Sequence, residues 1–463
     1  MGFTAILRGF AGILTCVAGA MIAPLLLAIT HNEATAGPFL YGAVVTLIAA
    51  GGAWAASIGR PPPSDFRGAL VIILLWWIVA PAFAAVPFSL SGMTFAGAYF
   101  ESVAAVTTTG GWLSHDAATG SPSLMLWRAE LQWLGGLASI AIAAAIFIRP
   151  AFIGIDTLLP PFSRGAKNDF LRPLRNAVYS FWSIYAGVTF FAFAAFAIAG
   201  ADTLDAAVMA LSGVASGGFI PGDGAVSTLS PLLIVFMFLL MVFAGSNFVV
   251  IARLVRGARE RVRDIENAAY FSIILFVAFL FWLLAGAGDF DLMIPQLFNA
   301  ASILSTNGFI IGEAPPISVV LVTAIIGGAA VSTAGGFKIL RWLVIMRRAL
   351  EELHRLVEPS AVLGIRRVAN ELGVWIHFLV FTMTLAGLVV VLSIGGHSFE
   401  LSTTAAVSAL SNAGPLIYLA GGGANGYAIF DEPYRWALAA AMVLGRLEGA
   451  VALALINRWF WRA

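Results

Sequence analysis

The chain has 463 residues, 60% of them hydrophobic and only 11% charged, with a formal net charge of +1. Soluble domains carry about 25% charged residues, so a mean hydropathy of +0.94 reads as a polytopic membrane protein and excludes a soluble fold. The near-zero net charge leaves no basic field for nucleic acid, and the single cysteine, Cys16, excludes an intrachain disulfide.

Taken in order, ten apolar segments fall at about 5–29, 38–57, 67–87, 122–148, 177–199, 230–252, 268–287, 316–346, 374–394 and 434–457. Each is near the ~20 residues that span a bilayer. Arg8 precedes the first, but no small-residue cleavage site leads into a soluble domain, so residues 6–27 read as a retained helix rather than a signal peptide. The first two segments form a hairpin closed by Arg60-Pro61-Pro62-Pro63, and the other eight form four pairs. The domain reading is therefore an N-terminal hairpin (1–60) and four pore repeats (61–150, 151–263, 264–350 and 351–463). No large extramembrane domain fits between these segments, so nucleotide sensing would have to come from another chain.

Each pair encloses a short apolar stretch, at 95–106, 203–214, 294–304 and 401–410. These are too short to span and suit re-entrant half-helices. Non-helical backbone at membrane depth is tolerated only where protein buries it or where it lines a water-filled cavity. Each stretch runs into a glycine loop: Thr107-Thr108-Thr109-Gly110, Ala215-Ser216-Gly217-Gly218, Ser305-Thr306-Asn307-Gly308 and Ser411-Asn412-Ala413-Gly414. Aligned on Gly110, Gly217, Gly308 and Gly414, the loops are 107, 91 and 106 residues apart, which points to an internal repeat around a shared axis. Glycine lets such a loop turn its carbonyls toward that axis, and a ring of carbonyls can replace a cation's hydration shell. The candidate ion-binding residues are thus Thr108, Thr109, Gly110, Ala215, Ser216, Gly217, Thr306, Asn307, Gly308, Asn412, Ala413 and Gly414. Ordinary interhelical turns are the competing explanation, but they need not follow a half-helix four times.

Arg and Lys concentrate on one side of these segments: Arg60, Arg67, Arg164, Lys167, Arg253 to Arg263 and Arg341 to Arg367. Acidic residues such as Asp202, Asp205, Asp289, Asp291 and Glu313 lie on the other. Positive charge marks the cytoplasmic side, so both termini are expected there and the glycine loops outside. The basic loops either dock a soluble regulator or only set topology.

The stretch Gly327–Gly336 places four glycines with Ser332 and Thr333 inside one long apolar segment. Glycine costs a helix interior about 1 kcal/mol per residue, so the helix is expected to break there into an intramembrane loop, a small-residue packing motif being the other reading. Lys338 follows and either holds that loop or marks the cytoplasmic end of the segment. Arg446 lies near the middle of the last segment, where a charge must face protein or water and is functional by default.

The residues also resemble a family. Trp127-Arg128 with Gln132-Trp133-Leu134-Gly135-Gly136, Ser246-Asn247-Phe248, Gly327 to Lys338 ending in Arg341, Asn412 to Pro415, and Gly445-Arg446-Leu447-Glu448 resemble stretches of the Trk/Ktr/HKT superfamily of potassium and sodium uptake proteins. The extra N-terminal hairpin is most similar to the bacterial Trk H-type pore subunits. The resemblance implies an all-α pore of four helix–half-helix–loop–helix repeats in the bacterial inner membrane. It implies K⁺ as the transported ion without an organic cofactor, a homodimer in the lipid bilayer, and a cytoplasmic nucleotide-binding regulatory subunit. It further implies a gate at Gly327, Gly328, Ser332, Thr333, Gly335, Gly336 and Lys338, a pore charge at Arg446, and K⁺ rather than Na⁺ selectivity from glycine at position 110. Two departures are Trp112, bulky for a filter mouth, and Glu358-Pro359, where His-Pro is expected. A Na⁺-permeable or Na⁺-coupled transporter of the same superfamily is the alternative. An intramembrane enzyme would need a paired nucleophile and base, or metal ligands, at membrane depth, and the sequence offers no such set.

Overall fold

The computed structural model describes residues 3–59, 66–113, 120–147, 171–221, 226, 229–255, 264–286, 289–358, 371–420 and 423–447. All secondary structure among these residues is helical. The repeat boundaries expected at 60, 150 and 263 lie outside the described residues, as does Glu448.

The N-terminal hairpin is α1 (Phe3–Ala20), α2 (Ile22–Thr30) and α3 (Ala36–Ala56). The first apolar segment is interrupted at Met21, three residues before Pro24, whose ring removes a backbone donor and clashes with the preceding turn. Three short half-helical pieces start from side-chain caps: Thr94 accepts from the Gly97 amide at α4 (Phe95–Val106), and Ser398 from the Leu401 amide at α7 (Phe399–Leu410). Asp289 caps the short turn Phe290–Leu292 that leads into α6 (Met293–Leu304), while the remaining half-helix, α5 (Thr203–Val214), follows Asp202. Such caps satisfy amides that the first turn leaves without partners.

Among the described residues, six helices are long and apolar enough to cross a membrane, and a seventh is counted if Pro231–Gly245 and Phe248–Val255 form one span. The other four of the ten expected segments also carry helix, and each departs from a single unbroken apolar span for a local reason. Segment 230–252 bends by 102° at Gly245–Asn247. Segment 316–346 breaks into Ile317–Ile326 and Ile339–Val357, with the glycine stretch between them non-helical as expected. Segment 122–148 is one 26-residue helix, Pro122–Phe147, that carries Arg128, Glu130 and Gln132. The last is helical over Glu432–Leu447, and its remainder lies outside the described residues.

The outer helices keep large apolar side chains uncovered, among them Phe191 (72% exposed) and Ile198 (80%). Such surface suits lipid rather than water. The half-helices are the opposite case. Nearly every residue in the C-terminal part of each is buried, including Glu101, Asn299, Ser302, Ser402 and Ser408. The centre of the molecule is therefore polar and enclosed, and its periphery apolar and open.

Candidate functional site: a ring of four loops over an intramembrane loop

The four half-helices end in the same way. The amides of Thr108, Ser216, Thr306 and Asn412 reach the carbonyls three residues back, at Ala105, Gly213, Ile303 and Ala409. The next amides, of Thr109, Gly217, Asn307 and Ala413, reach five residues back, to Ala104, Ser212, Ser302 and Ser408. Thr108, Ser216, Thr306 and Asn412 all have positive φ, between 52° and 62°. Left-handed backbone is unfavourable for non-glycine residues by about 1–2 kcal/mol each, so four of them at one position mark a shared, over-determined loop geometry.

This geometry corrects the alignment in the second loop. Two residues after each left-handed residue stand Gly110 (φ 69°), Gly218 (φ 63°) and Gly308 (φ 76°). The equivalent of Gly110 is therefore Gly218, not Gly217. Gly414 occupies the fourth position without a positive φ, and Pro415 after it favours extended backbone.

The loops close on one another in order. A Cβ at Gly110 would strike the Gly217 carbonyl, one at Gly218 the Asn307 carbonyl and one at Gly414 the Thr109 carbonyl, while one at Gly308 would press on the Pro415 ring at 3.2 Å. The fourth joint is also bonded directly: Gly414 N donates to Thr109 O (2.6 Å) and Asn412 Nδ2 to Thr109 Oγ1 (2.9 Å). Not every carbonyl in and beside the candidate set is spare. Thr107 O accepts from Arg446 and Gly217 O from Gln132 Nε2 (2.8 Å), while Ala413 O and Gly414 O accept from Ser408 Oγ.

The Gln-Trp-Leu-Gly-Gly stretch acts as the wedge between loops one and two. Gln132 holds loop two, and Trp133 Nε1 donates to Thr189 Oγ1 (2.9 Å). At Gly135 a Cβ would meet the Val106 carbonyl, so the helix comes into backbone contact with the end of α4. Arg128 Nε pairs with Glu101 Oε2 at 2.9 Å, both buried, and Glu101 Oε1 takes the Leu113 amide. Trp112 does not occlude the mouth. It lies 4% exposed against Phe219 (4.8 Å between rings), with the Arg128 guanidinium 5.5 Å from its ring.

Beneath the ring lies the broken stretch. Its ends pinch together: a Cβ at Gly327 would strike Gly335 O and one at Gly336 the Gly327 Cα, while Phe337 N and Lys338 N bond back to Ile325 O (2.8 Å) and Ile326 O (3.0 Å). Lys338, itself at φ 80°, donates through Nζ to Ala334 O. The loop meets all four loops above it. Thr333 Oγ1 lies 2.8 Å from Ser216 Oγ of the second, and Gly335 N donates to Thr306 Oγ1 (2.8 Å) of the third. Gly336 N donates to Ser411 O (3.0 Å) of the fourth. The link to the first runs through Arg446, whose Nε donates to Thr107 O (2.6 Å), Nη1 to Thr333 O (2.8 Å) and Ala334 O (3.4 Å), and Nη2 to the Thr108 hydroxyl. Its flat fork of donors suits several carbonyls at once. Arg446 thus sets a fixed positive charge between the first loop and the intramembrane loop.

A family model described as TrkH, cation transport protein, matches residues 38–290, more than half of the chain. The chain belongs to the TrkH family. Over 463 aligned residues it is 29% identical to the Trk system potassium uptake protein TrkI of Halomonas elongata, covering 96% of this chain and 94% of that one. It is 27% identical to TrkH of Escherichia coli K12 over the full length of both. The crystal structure of the potassium transporter TrkH from Vibrio parahaemolyticus superposes with a TM-score of 0.87 at 26% identity, again covering both chains completely. This TrkH-family chain is therefore an all-helical polytopic membrane protein of a cation-transport family.

Sequence reasoning missed Glu101 as the partner of Arg128, and it missed Glu266. The Glu266 carboxylate accepts from Ala330 N (2.6 Å) in the intramembrane loop and from Asn247 Nδ2 (2.7 Å). A carboxylate one residue inside an apolar span was the available signal. The network at the turn between α2 and α3 was equally hidden: Glu33 Oε2 accepts from the hydroxyls of Thr35, Ser121 and Ser123.

Proposed function

We propose that this TrkH-family chain takes up K⁺ through a pore at the centre of the four repeats. The ring of loops, with a left-handed residue at the same position in each, is the observation that carries the reading. Positive and negative φ alternate along the first three loops, which turns successive carbonyls to the same side of the chain. Those not spent on holding the ring, at the level of Thr108, Ser216, Thr306 and Asn412, replace the ion's water. The half-helices aim their partly negative C-terminal ends at the same point, which favours a cation. The relatives named as potassium uptake proteins support K⁺ as the cargo.

The loop 327–338 is the gate in this reading, since it sits across the inner side of the ring and is tied to each of the four loops. Arg446 keeps a cation from settling beneath the ring and bonds the gate in its closed position. The protein works as a homodimer in the bacterial inner membrane, with both termini cytoplasmic and a nucleotide-binding subunit on its basic loops, as expected for a component of a Trk system.

The test is uptake of Rb⁺ against Na⁺ in cells lacking their own K⁺ uptake systems, with purified protein in liposomes as control. Rb⁺ flux that K⁺ blocks and Na⁺ does not is the expected result. Flux carried equally by Na⁺, or requiring it, overturns the K⁺ assignment in favour of a Na⁺-permeable or Na⁺-coupled transporter.

A further inference from the structure

The span after the second half-helix breaks at Gly245-Ser246-Asn247, and the broken end forms a cradle for the tip of the intramembrane loop. Ala329 N donates to Gly245 O (2.9 Å), Phe248 N to Val331 O (2.8 Å), and Thr333 N to Ala244 O (3.3 Å). Asn247 occupies the corner. Its Oδ1 accepts from the Val249 amide (3.0 Å) and so caps the helix Phe248–Val255, while its backbone amide donates to Asn267 Oδ1 (2.9 Å). Its Nδ2 is left to reach across to Glu266 Oε2 (2.7 Å), and the other oxygen of that carboxylate takes Ala330 N (2.6 Å). Glu266 is 6% exposed and Asn247 8%.

Backbone bonds to a cradle re-form readily after a small slide of the loop. A carboxylate that divides its two oxygens between the loop and the cradle does not, because both bonds need one position of all three groups. Bonds to an ionised acceptor are also about twice as strong as neutral ones. Glu266 is therefore the part of the cradle whose loss frees the loop without touching the ring. None of Glu266, Asn247 or Ala330 belongs to the four loops that form it.

We propose that Glu266 is a positioning residue for gating: it latches the tip of the intramembrane loop to the broken span, with Asn247 as its second anchor. This rests on the reading of 327–338 as the gate. In Glu266→Gln an N–H group replaces one oxygen and faces a donor, either Ala330 N or Asn247 Nδ2, so one of the two bonds is lost. Asn247→Asp keeps the cap on Val249 but puts a carboxylate beside a carboxylate. Both variants weaken the latch, and neither changes the residues around the ion.

The experiment is Rb⁺ flux through the purified full chain in liposomes, without any regulator, per mole of reconstituted protein. E266Q and N247D are compared with a variant lacking residues 330–332. The expected result is a rise of about tenfold in unregulated flux for E266Q, the shift that one lost bond to a charged group makes in a two-state equilibrium. The Rb⁺ to Na⁺ ratio stays as in the wild type. Hydrogen exchange rises at residues 328–331 and not at 305–308. E266D, which keeps the charge but is one methylene short, carries the test if E266Q does not reconstitute. If the deletion raises flux and the Glu266 variants do not, the latch is refuted and the gate stands. If the deletion leaves flux unchanged, the gate reading fails and the latch with it.

Discussion

Replacing Arg446 with Gln is expected to favour the conducting arrangement by about 2 kcal/mol, roughly 30-fold in population. Arg446 makes two close bonds that join different parts of the chain, to Thr107 O at 2.6 Å and to Thr333 O at 2.8 Å. Hydrogen bonds to a charged group contribute about 1.5–3 kcal/mol each, so the pair is worth about 3–6 kcal/mol before coupling. Their effects overlap, because both belong to one planar group, and glutamine still offers a donor to one carbonyl. About 2 kcal/mol remains as the part specific to holding loop one against the intramembrane loop. The assay is Rb⁺ efflux from liposomes at matched protein content, with R446K beside R446Q. Lysine keeps the charge but loses the fork, so an intermediate flux is expected from it. Wild-type flux in R446Q, with the protein intact and correctly reconstituted, would falsify the argument, because the bonds would then not oppose opening.

Three further outcomes follow from the same geometry. Gly110→Ser puts a Cβ at φ 69° into the Gly217 carbonyl, so the first two loops must part and the preference for Rb⁺ over Na⁺ should fall; unchanged selectivity in competition uptake would exclude these loops from ion contact. Glu101→Ala leaves Arg128 buried without its carboxylate and should cost about 3–5 kcal/mol, read as lower thermal stability in detergent, with Glu101→Ala/Arg128→Met recovering most of it. At Glu33, burial pushes the carboxyl pKa up, but bonds from Ser121, Ser123 and Thr35 outweigh it and leave the pKa below the usual value. A depressed folded pKa adds stability above the unfolded value that is lost as pH falls through the folded one. Thermal stability of the wild type should therefore decline in acid below the ordinary carboxylate range more steeply than that of Glu33→Gln, and parallel curves would exclude Glu33 as the cause.

Much of this protein is written locally, and that part was legible. Hydropathy marked the apolar segments, ten-to-twelve-residue stretches marked the half-helices, and a cluster of glycines marked the break at 327–336, because each depends on residues within a few turns of one another. The register of the second loop was legible but misassigned, because two adjacent glycines offered a choice. Counting from the half-helix end at Val214, as from Val106, puts Gly218 in the left-handed position of Gly110, and Phe219 after it matches Phe309 after Gly308. The 102° bend within segment 230–252, at Gly245–Asn247, was not legible, since that stretch is as apolar as a straight span and the partner that packs into the bend, the intramembrane loop, lies about 80 residues on.

The sequence alone determined that four similar units exist and that each carries a loop able to turn its carbonyls outward from the chain. Only the tertiary structure decided which side chains hold the loops. Gln132 reaches Gly217 across 85 residues, Glu266 reaches Ala330 across 64, Asn412 reaches Thr109 across 303 and Arg446 reaches Thr107 across 339. A polar group in an apolar segment signals that it must find a partner, because leaving it without one in a low-dielectric interior is too costly. It carries no information about which partner, and that choice is made only when the four units close around one axis.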